Sequence, residues 1–328
     1  MPTELQATAA DTAPAFLAAG VALALTKRTW RSRRSARASL VTSPPETFQL
    51  LVQKGEGNAR LSILKTLHAS VMGGCYVGMS GLLSLIIAGN SAPGNMTAQT
   101  AIFAALFPVN LLLVLQSGGQ LFTGNTATSS MALFERKITR VQLMRTWITS
   151  YFGNIIGCGL MVLVAWYVGV FQGGTSEMAA RIAMKKCHAT FGQTIVKAIM
   201  CNWLVCMAVW LATSAQDLAS KMVGIWFPIS MFIAIGFEHS VANMFMLPAG
   251  LVAGAKLSIA DVIVKNLIPV TIGNAIAGSI VIGAGFSFAY GRLGSGKKGS
   301  FTGIRELRKR RAAWNQISVL GSDDTAAA

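Results

Sequence analysis

GFEHSVANM, residues 236 to 244, sits inside an apolar run from Met222 to Ala255 whose only titratable side chains are Glu238 and His239. A hydrocarbon core about 30 Å thick takes roughly 20 helical residues. The run is therefore long enough to cross a bilayer, and it puts His239 near the middle. An ionisable group at that depth costs on the order of 2.5–3.5 kcal/mol on insertion scales, and such groups face a polar cavity or a pathway. Gly236, Ser240, Asn243 and Pro248 all weaken a helix here. A broken helix at membrane depth is tolerated only where it lines a cavity or is buried in protein. The stretch reads as a transport site.

Composition sets the class around it. The chain has 328 residues, 53% hydrophobic and 12% charged. A soluble domain carries about 25% charged residues, so this is an integral membrane protein whose surroundings are the lipid bilayer. The net charge of +16 is concentrated in Lys27–Arg37, Glu135–Arg140 and Arg292–Arg311, outside the apolar runs. That is the pattern of loops and tails held on one face of a membrane, not of a nucleic-acid binder. A positive field at a pore mouth also gathers anions. The five cysteines read as small core residues, not as a disulfide or metal framework. No metal or other cofactor is expected.

Three parts divide the chain. Residues 1–43 hold a short apolar segment, Ala13–Leu25, followed by an Arg- and Ser-rich stretch without acids. This fits a targeting presequence, with a disordered basic tail as the alternative. Residues 44–291 form the membrane domain, and 292–328 a basic tail on the inner side. A short amphipathic surface helix opens the domain at Ser43-Pro44-Pro45-Glu46 and is expected to end at Gly55. Six spans follow, near residues 66–88, 101–133, 147–170, 191–213, 222–255 and 266–290. Residues 173–189 read as a polar segment, and Lys256–Lys265 as a loop. An even count with this charge distribution puts both termini inside.

The second and fifth spans are interrupted at their centres, at GGQLFTGN (118–125) and GFEHSVAN (236–243). Each half then carries a Gly-Asn pair mid-span, Gly153-Asn154 and Gly273-Asn274. Corresponding breaks mark a repeat transporter or channel. Three spans per repeat is an odd number, so the expected fold is all-α: six transmembrane helices as an inverted 3+3 repeat, the second and fifth broken.

The chemistry centres on His239. Imidazole titrates near pH 6.5 in water, and burial disfavours its charged form. A neutral ring donates a hydrogen bond to an oxyanion, and a transiently charged one hands a proton to a weak-acid anion. Formate and nitrite are such anions, which makes protons a second partner. Glu238 is expected to pair with an amide or with N–H groups of the break, Asn243 being the candidate. Lys186 reads as an interfacial lysine, and Asn202 as an amide donor to an anion or to a neighbouring helix. Phe107, Leu111, Leu121, Phe122, Val205 and Phe232 are core or lipid-facing, unless they face the pathway as constrictions that exclude hydrated ions.

These motifs resemble those of the formate/nitrite transporter family. The resemblance runs from about Pro44 to Tyr290 and rests on GGQLFTGN, CNWLVCMAVW (201–210) and GFEHSVANMF (236–245). It implies an aquaporin-like fold, a homopentamer with one pore per subunit, and passage of small monovalent anions, chiefly formate or nitrite. By motif, His239 is the central histidine and Thr123 the polar residue of the second-span break. Lys186 and Asn202 become pore-side groups that attract the anion. Phe107, Phe232 and Val205 form one constriction, and Leu111, Leu121 and Phe122 the other. Gln120 stands where the family usually carries an acid, which puts acid-linked gating of that loop in doubt. The leader resembles that of algal plastid-envelope members, which favours the plastid envelope over the plasma membrane and leans the substrate toward nitrite.

A neutral-solute pore of aquaporin type is the alternative. It lacks support because the paired Asn-Pro-Ala breaks of such pores are missing. A membrane enzyme is not expected, since no His/Cys/carboxylate cluster has ligand spacing.

Overall fold

The computed structural model describes residues 40–295, so most of the expected presequence and most of the basic tail fall outside the described residues. Among the described residues six helices are long and apolar enough to cross a membrane. The chain starts with the amphipathic α1 (Pro44–Arg60), whose first N–H groups are capped by a Ser43–Glu46 box. Its buried face carries Phe48, Leu51, Val52 and Ala59. The helix runs through Gly55 instead of ending there. A Cβ on Gly55 would lie 2.0 Å from the Thr128 carbonyl oxygen, so this glycine serves close packing and not termination.

The first span is α2 (Ile63–Ser91). The second comprises α3 (Met96–Leu106) and α4 (Val109–Ser117), joined at Phe107-Pro108. After Ser117 the chain turns, and α5 (Phe122–Phe134) follows. Then come α6 (Arg140–Tyr167), the shorter α7 (Gly173–Lys186) and α8 (Phe191–Ser214). Next are α9 (Leu218–Ile235) and the short apolar α10 (Ser240–Val252). The last span, α11, covers Ile259–Tyr290.

Two spans begin earlier than hydropathy alone indicates. α6 starts at Arg140 because Thr139 and Gln142 form a capping box, and α11 starts at Ile259 because Ser258 and Asp261 form another. Part of the expected Lys256–Lys265 loop is therefore helical, with Lys265 and Asp261 paired at 2.7 Å. The polar segment after residue 173 is also helical, as α7.

Small residues hold the long helices together. A Cβ on Gly157 of α6 would lie 2.1 Å from the Val71 carbonyl of α2, and one on Gly74 would lie 2.5 Å from the Asn154 carbonyl. Backbones approach this closely only where side chains are absent, which is how membrane helices gain packing without a hydrophobic drive. α11 contains two wider-turned π segments, Val262–Leu267 and Ala277–Ala284. The second brings Gly278 against Thr126 of α5, where a Cβ would lie 1.9 Å from Oγ1.

Candidate functional site

Two chain turns at the heart of the bundle have matching backbones. Gly118 ends α4 at φ 80°, and Gly236 ends α9 at φ 84°. Both are left-handed, a region that glycine enters without a Cβ penalty. Three residues on, Leu121 (φ −114°, ψ 139°) and His239 (φ −110°, ψ 119°) are extended and cap α5 and α10. Gly118-Gly119-Gln120-Leu121 and Gly236-Phe237-Glu238-His239 thus occupy the same positions in the two turns.

One asparagine stitches each turn. Asn154 on α6 accepts from the Phe122 N–H (2.8 Å) and donates to the Ser70 (2.8 Å) and Gln120 (2.9 Å) carbonyls. Asn274 on α11 accepts from the Ser240 N–H (2.8 Å) and donates to the Ala198 (2.8 Å) and Glu238 (3.0 Å) carbonyls. Both side chains are fully buried. Each satisfies the first N–H of a half-length helix and a carbonyl of the turn, groups that are expensive to leave bare in lipid.

His239 caps α10 with its own ring: Nδ1 accepts from the Ala242 N–H at 3.0 Å. A nitrogen that accepts carries no proton, so the ring is neutral and protonated at Nε2. Nε2 then donates to Thr123 Oγ1 at 3.0 Å. The hydroxyl accepts that bond and keeps its own proton to donate. Phe232 stacks on the ring at 5.7 Å between centroids.

His239 lines a narrow central cavity together with Phe107 and Phe232. A second cavity lies toward α1 and is lined by Lys54, Asn58, Gln120 and Asn125. Leu111, Leu121 and Val205 line both cavities and form the partition between them. Val205 therefore lies beside Phe107 and Phe232 on the central cavity and beside Leu111 and Leu121 on the second one. Phe122 lines neither cavity: its ring packs edge-on against Trp147 and Tyr151, at 6.1 and 5.2 Å.

The remaining sequence candidates fall into two clusters. Lys186 Nζ lies 3.0 Å from Glu238 Oε2, which also accepts from Asn243 Nδ2 at 2.7 Å. Asn266, missed by the sequence reading, joins them through Asn243 (2.7 Å) and the Lys186 carbonyl (2.9 Å). Asn202 is fully buried and donates to the Asn274 carbonyl (2.6 Å) and Thr126 Oγ1 (3.1 Å), linking α8, α11 and α5. Its Oδ1 has no partner among the described residues. The five cysteines are free and buried. Among the described residues no group of three or more His, Cys, Asp or Glu stands together to hold a metal.

Sequence reasoning named the Gly-Asn pairs but gave the asparagines no role. Their recurrence after each interrupted span was the available signal. Lys54, Asn58 and Asn125 gave no comparable signal, because only the packing of α1 onto α5 brings them to the conduit.

Two matching turns, a buried imidazole and paired cavities define a membrane channel or carrier for small solutes. The family model for formate/nitrite transporters matches residues 45–288. The chain is 37% identical over 260 residues to the uncharacterized transporter YrhG of Bacillus subtilis, covering 78% of this chain and 96% of that protein. A solved FNT family ion channel aligns with TM-score 0.69 at 28% identity, covering 74% of this chain and 98% of that one. A pentameric formate channel with formate bound aligns with TM-score 0.62, also at 28% identity, covering 70% and 98%. The chain belongs to the formate/nitrite transporter family.

Proposed function

We propose that this chain conducts formate and nitrite, and that each anion crosses the apolar partition as its neutral acid, with one proton. The observation that carries this is the His239–Thr123 pair, seated behind a partition formed by the apolar Leu111, Leu121 and Val205. An unpaired ion entering an apolar constriction loses its hydration without compensation. A weak-acid anion avoids that loss by taking a proton. The ring is a poor source of that proton in its resting form. Charging it would put a proton on Nδ1 and break the cap bond from Ala242, which is worth about 1 kcal/mol. In this reading the proton comes from the aqueous side, and the neutral Nε2–H and Thr123 hydroxyl stabilise the anion until it arrives.

The matching turns and asparagine bonds support an inverted 3+3 repeat with broken second and fifth helices. A homopentamer is supported by the pentameric formate channel that this chain resembles. The plastid envelope is the membrane we assign, on the Arg- and Ser-rich leader, and a fluorescent fusion of residues 1–43 tests it.

Reconstituted vesicles with a luminal pH dye test the mechanism. A formate or nitrite gradient should acidify the lumen in step with anion uptake. Uptake that follows membrane potential and leaves luminal pH unchanged contradicts neutral-acid crossing.

A further inference from the structure

The polar clusters behind the two turns are wired alike but charged differently. Lys186 and Asn58 each sit one helical turn ahead of an N-cap, Thr190 and Ser62 respectively. At the Lys186 end the ammonium meets Glu238, and Glu238 meets Asn243. At the α1 end Asn58 donates to Asn125 Oδ1 (3.0 Å), and Asn125 donates to Gln120 Oε1 (2.9 Å). Gln120 holds the place in its turn that Glu238 holds in the other. One cluster therefore carries a neutralised ion pair, and the other a chain of amides that cannot titrate.

Lys54 changes the balance at the α1 mouth. It stands one turn before Asn58, half-buried, on the same cavity as Asn58, Gln120 and Asn125, and among the described residues no carboxylate lines that cavity. The charged groups of neighbouring elements are engaged elsewhere. Glu56 pairs with Arg60 at 2.5 Å, and Glu135 at the end of α5 accepts from the Arg292 N–H at 2.9 Å. Arg145 of α6 donates to the Ala59 and Leu61 carbonyls, and α8 presents only Val205 and Val209. Lys221 on α9 adds repulsion. Burial first, and the Lys221 charge second, bring the Lys54 ammonium down to about 8.

We infer that Lys54 is the capture group for the crossing anion at the α1 mouth, and that this mouth weakens toward alkaline pH while the Lys186 mouth does not. The inference rests on the anion-conduit reading above. An unneutralised cation before an apolar partition concentrates anions there, whereas the Lys186–Glu238 pair presents little net charge. A group titrating near 8 is about nine-tenths charged at pH 7 and about one-tenth at pH 9. The capture charge thus falls roughly tenfold across that window.

The test uses full-length protein in vesicles sorted so that α1 faces outward. Half-saturation for formate is measured from each side at pH 7 to 9, for wild type, Lys54→Arg and Lys54→Gln. Bulk protonation of formate affects all three alike, so their ratio is the readout. Wild type should match Lys54→Arg at pH 7 and shift several-fold toward Lys54→Gln by pH 9, on the α1 side only. Gln120→Glu, which puts a carboxylate on the same cavity, should raise half-saturation at pH 7. A wild-type to Lys54→Arg ratio that stays flat, or Lys54→Gln equal to wild type at pH 7, overturns the inference. If no variant carries formate, the conduit reading fails instead. The Lys54 site is then read by NMR of reductively methylated protein in detergent, with Lys54→Arg assigning the signal. A formate-dependent shift at pH 7 that fades by pH 9 supports capture, and no shift overturns it.

Discussion

Replacing Asn274 by alanine removes three hydrogen bonds at one turn: from the Ser240 N–H, and to the Ala198 and Glu238 carbonyls. Side-chain hydrogen bonds in a membrane protein average about 0.6 kcal/mol each, which sets a floor near 2 kcal/mol for the set. The Ala198 carbonyl lies mid-helix in α8, so its loss is small. The Ser240 N–H is different. It is the first N–H of α10, it is buried, and Asn274 is the partner that replaces water. A buried donor left bare costs about 1–3 kcal/mol. Asn274→Ala should therefore lose about 2–4 kcal/mol, or roughly 5–15 °C of melting temperature for a domain of this size. The assay is thermal unfolding in detergent, followed by the loss of the folded peak on size exclusion. Asn154→Ala removes the equivalent set from the first turn and should lose a similar amount. A shift below about 2 °C for Asn274→Ala, equivalent to less than about 1 kcal/mol, refutes the stitching argument. A severe Asn274→Ala beside a harmless Asn154→Ala refutes the equivalence of the two turns.

Further expectations follow from single contacts. Thr123→Val keeps the shape but removes the acceptor of the His239 Nε2–H, so formate flux should fall about tenfold, the worth of one hydrogen bond of about 1.4 kcal/mol; Thr123→Ser should stay near wild type, and equal flux in both would count against the pair. Lys186→Met strands Glu238 and should destabilise by roughly 3 kcal/mol, as breaking a buried pair does, while Lys186→Met with Glu238→Gln should recover most of it in the same unfolding assay. Gly157→Ala places a methyl 2.1 Å from the Val71 carbonyl and should abolish the folded species on size exclusion, whereas Gly159→Ala on the same helix meets open space and should be tolerated. Asp217 caps α9 by accepting from the Ser220 N–H at 2.9 Å, and bonds from the Ser220 hydroxyl first and that N–H second hold its carboxyl below the usual range. A depressed folded value means its stabilisation is present above the unfolded value near 3.9 and is lost as pH falls through the folded one. Asp217→Ala should remove that part of the acid dependence of unfolding, and an unchanged acid limb would argue against it.

The spans were legible because hydropathy is a local property, and a run such as Met222–Ala255 declares itself without knowledge of its neighbours. The turns at Gly118 and Gly236 were legible for a related reason: both residues adopt a conformation that glycine alone enters freely, so the residue type announces the backbone. Helix ends were read less well. Gly55 looked like a stop and is a packing contact, a distinction that depends on Thr128, far along the chain. Phe122 followed the motif into the constriction set, yet its ring turns toward Trp147 and Tyr151. A motif fixes which residue follows a turn, but the neighbouring helix decides where its side chain goes. Asn58, Asn125 and Gln120 form one amide chain only after α1 folds back onto α5, and no spacing in the sequence encodes that contact.

His239 is committed twice, and this governs how its role is tested. Nδ1 holds the first turn of α10, while Nε2 faces Thr123 beside the central cavity. Any replacement that removes the ring removes the helix cap as well, so lost flux in His239→Ala mixes a structural fault with a chemical one. His239→Asn is the cleaner change. Asparagine is among the best N-caps and keeps an acceptor for the Ala242 N–H, but it is too short to carry a donor to the Nε2 position. The variant should fold and melt close to wild type yet lose flux to the extent that Thr123→Val does. If His239→Asn conducts formate normally, the imidazole serves only as a cap, and the partition formed by Leu111, Leu121 and Val205 sets selectivity without it.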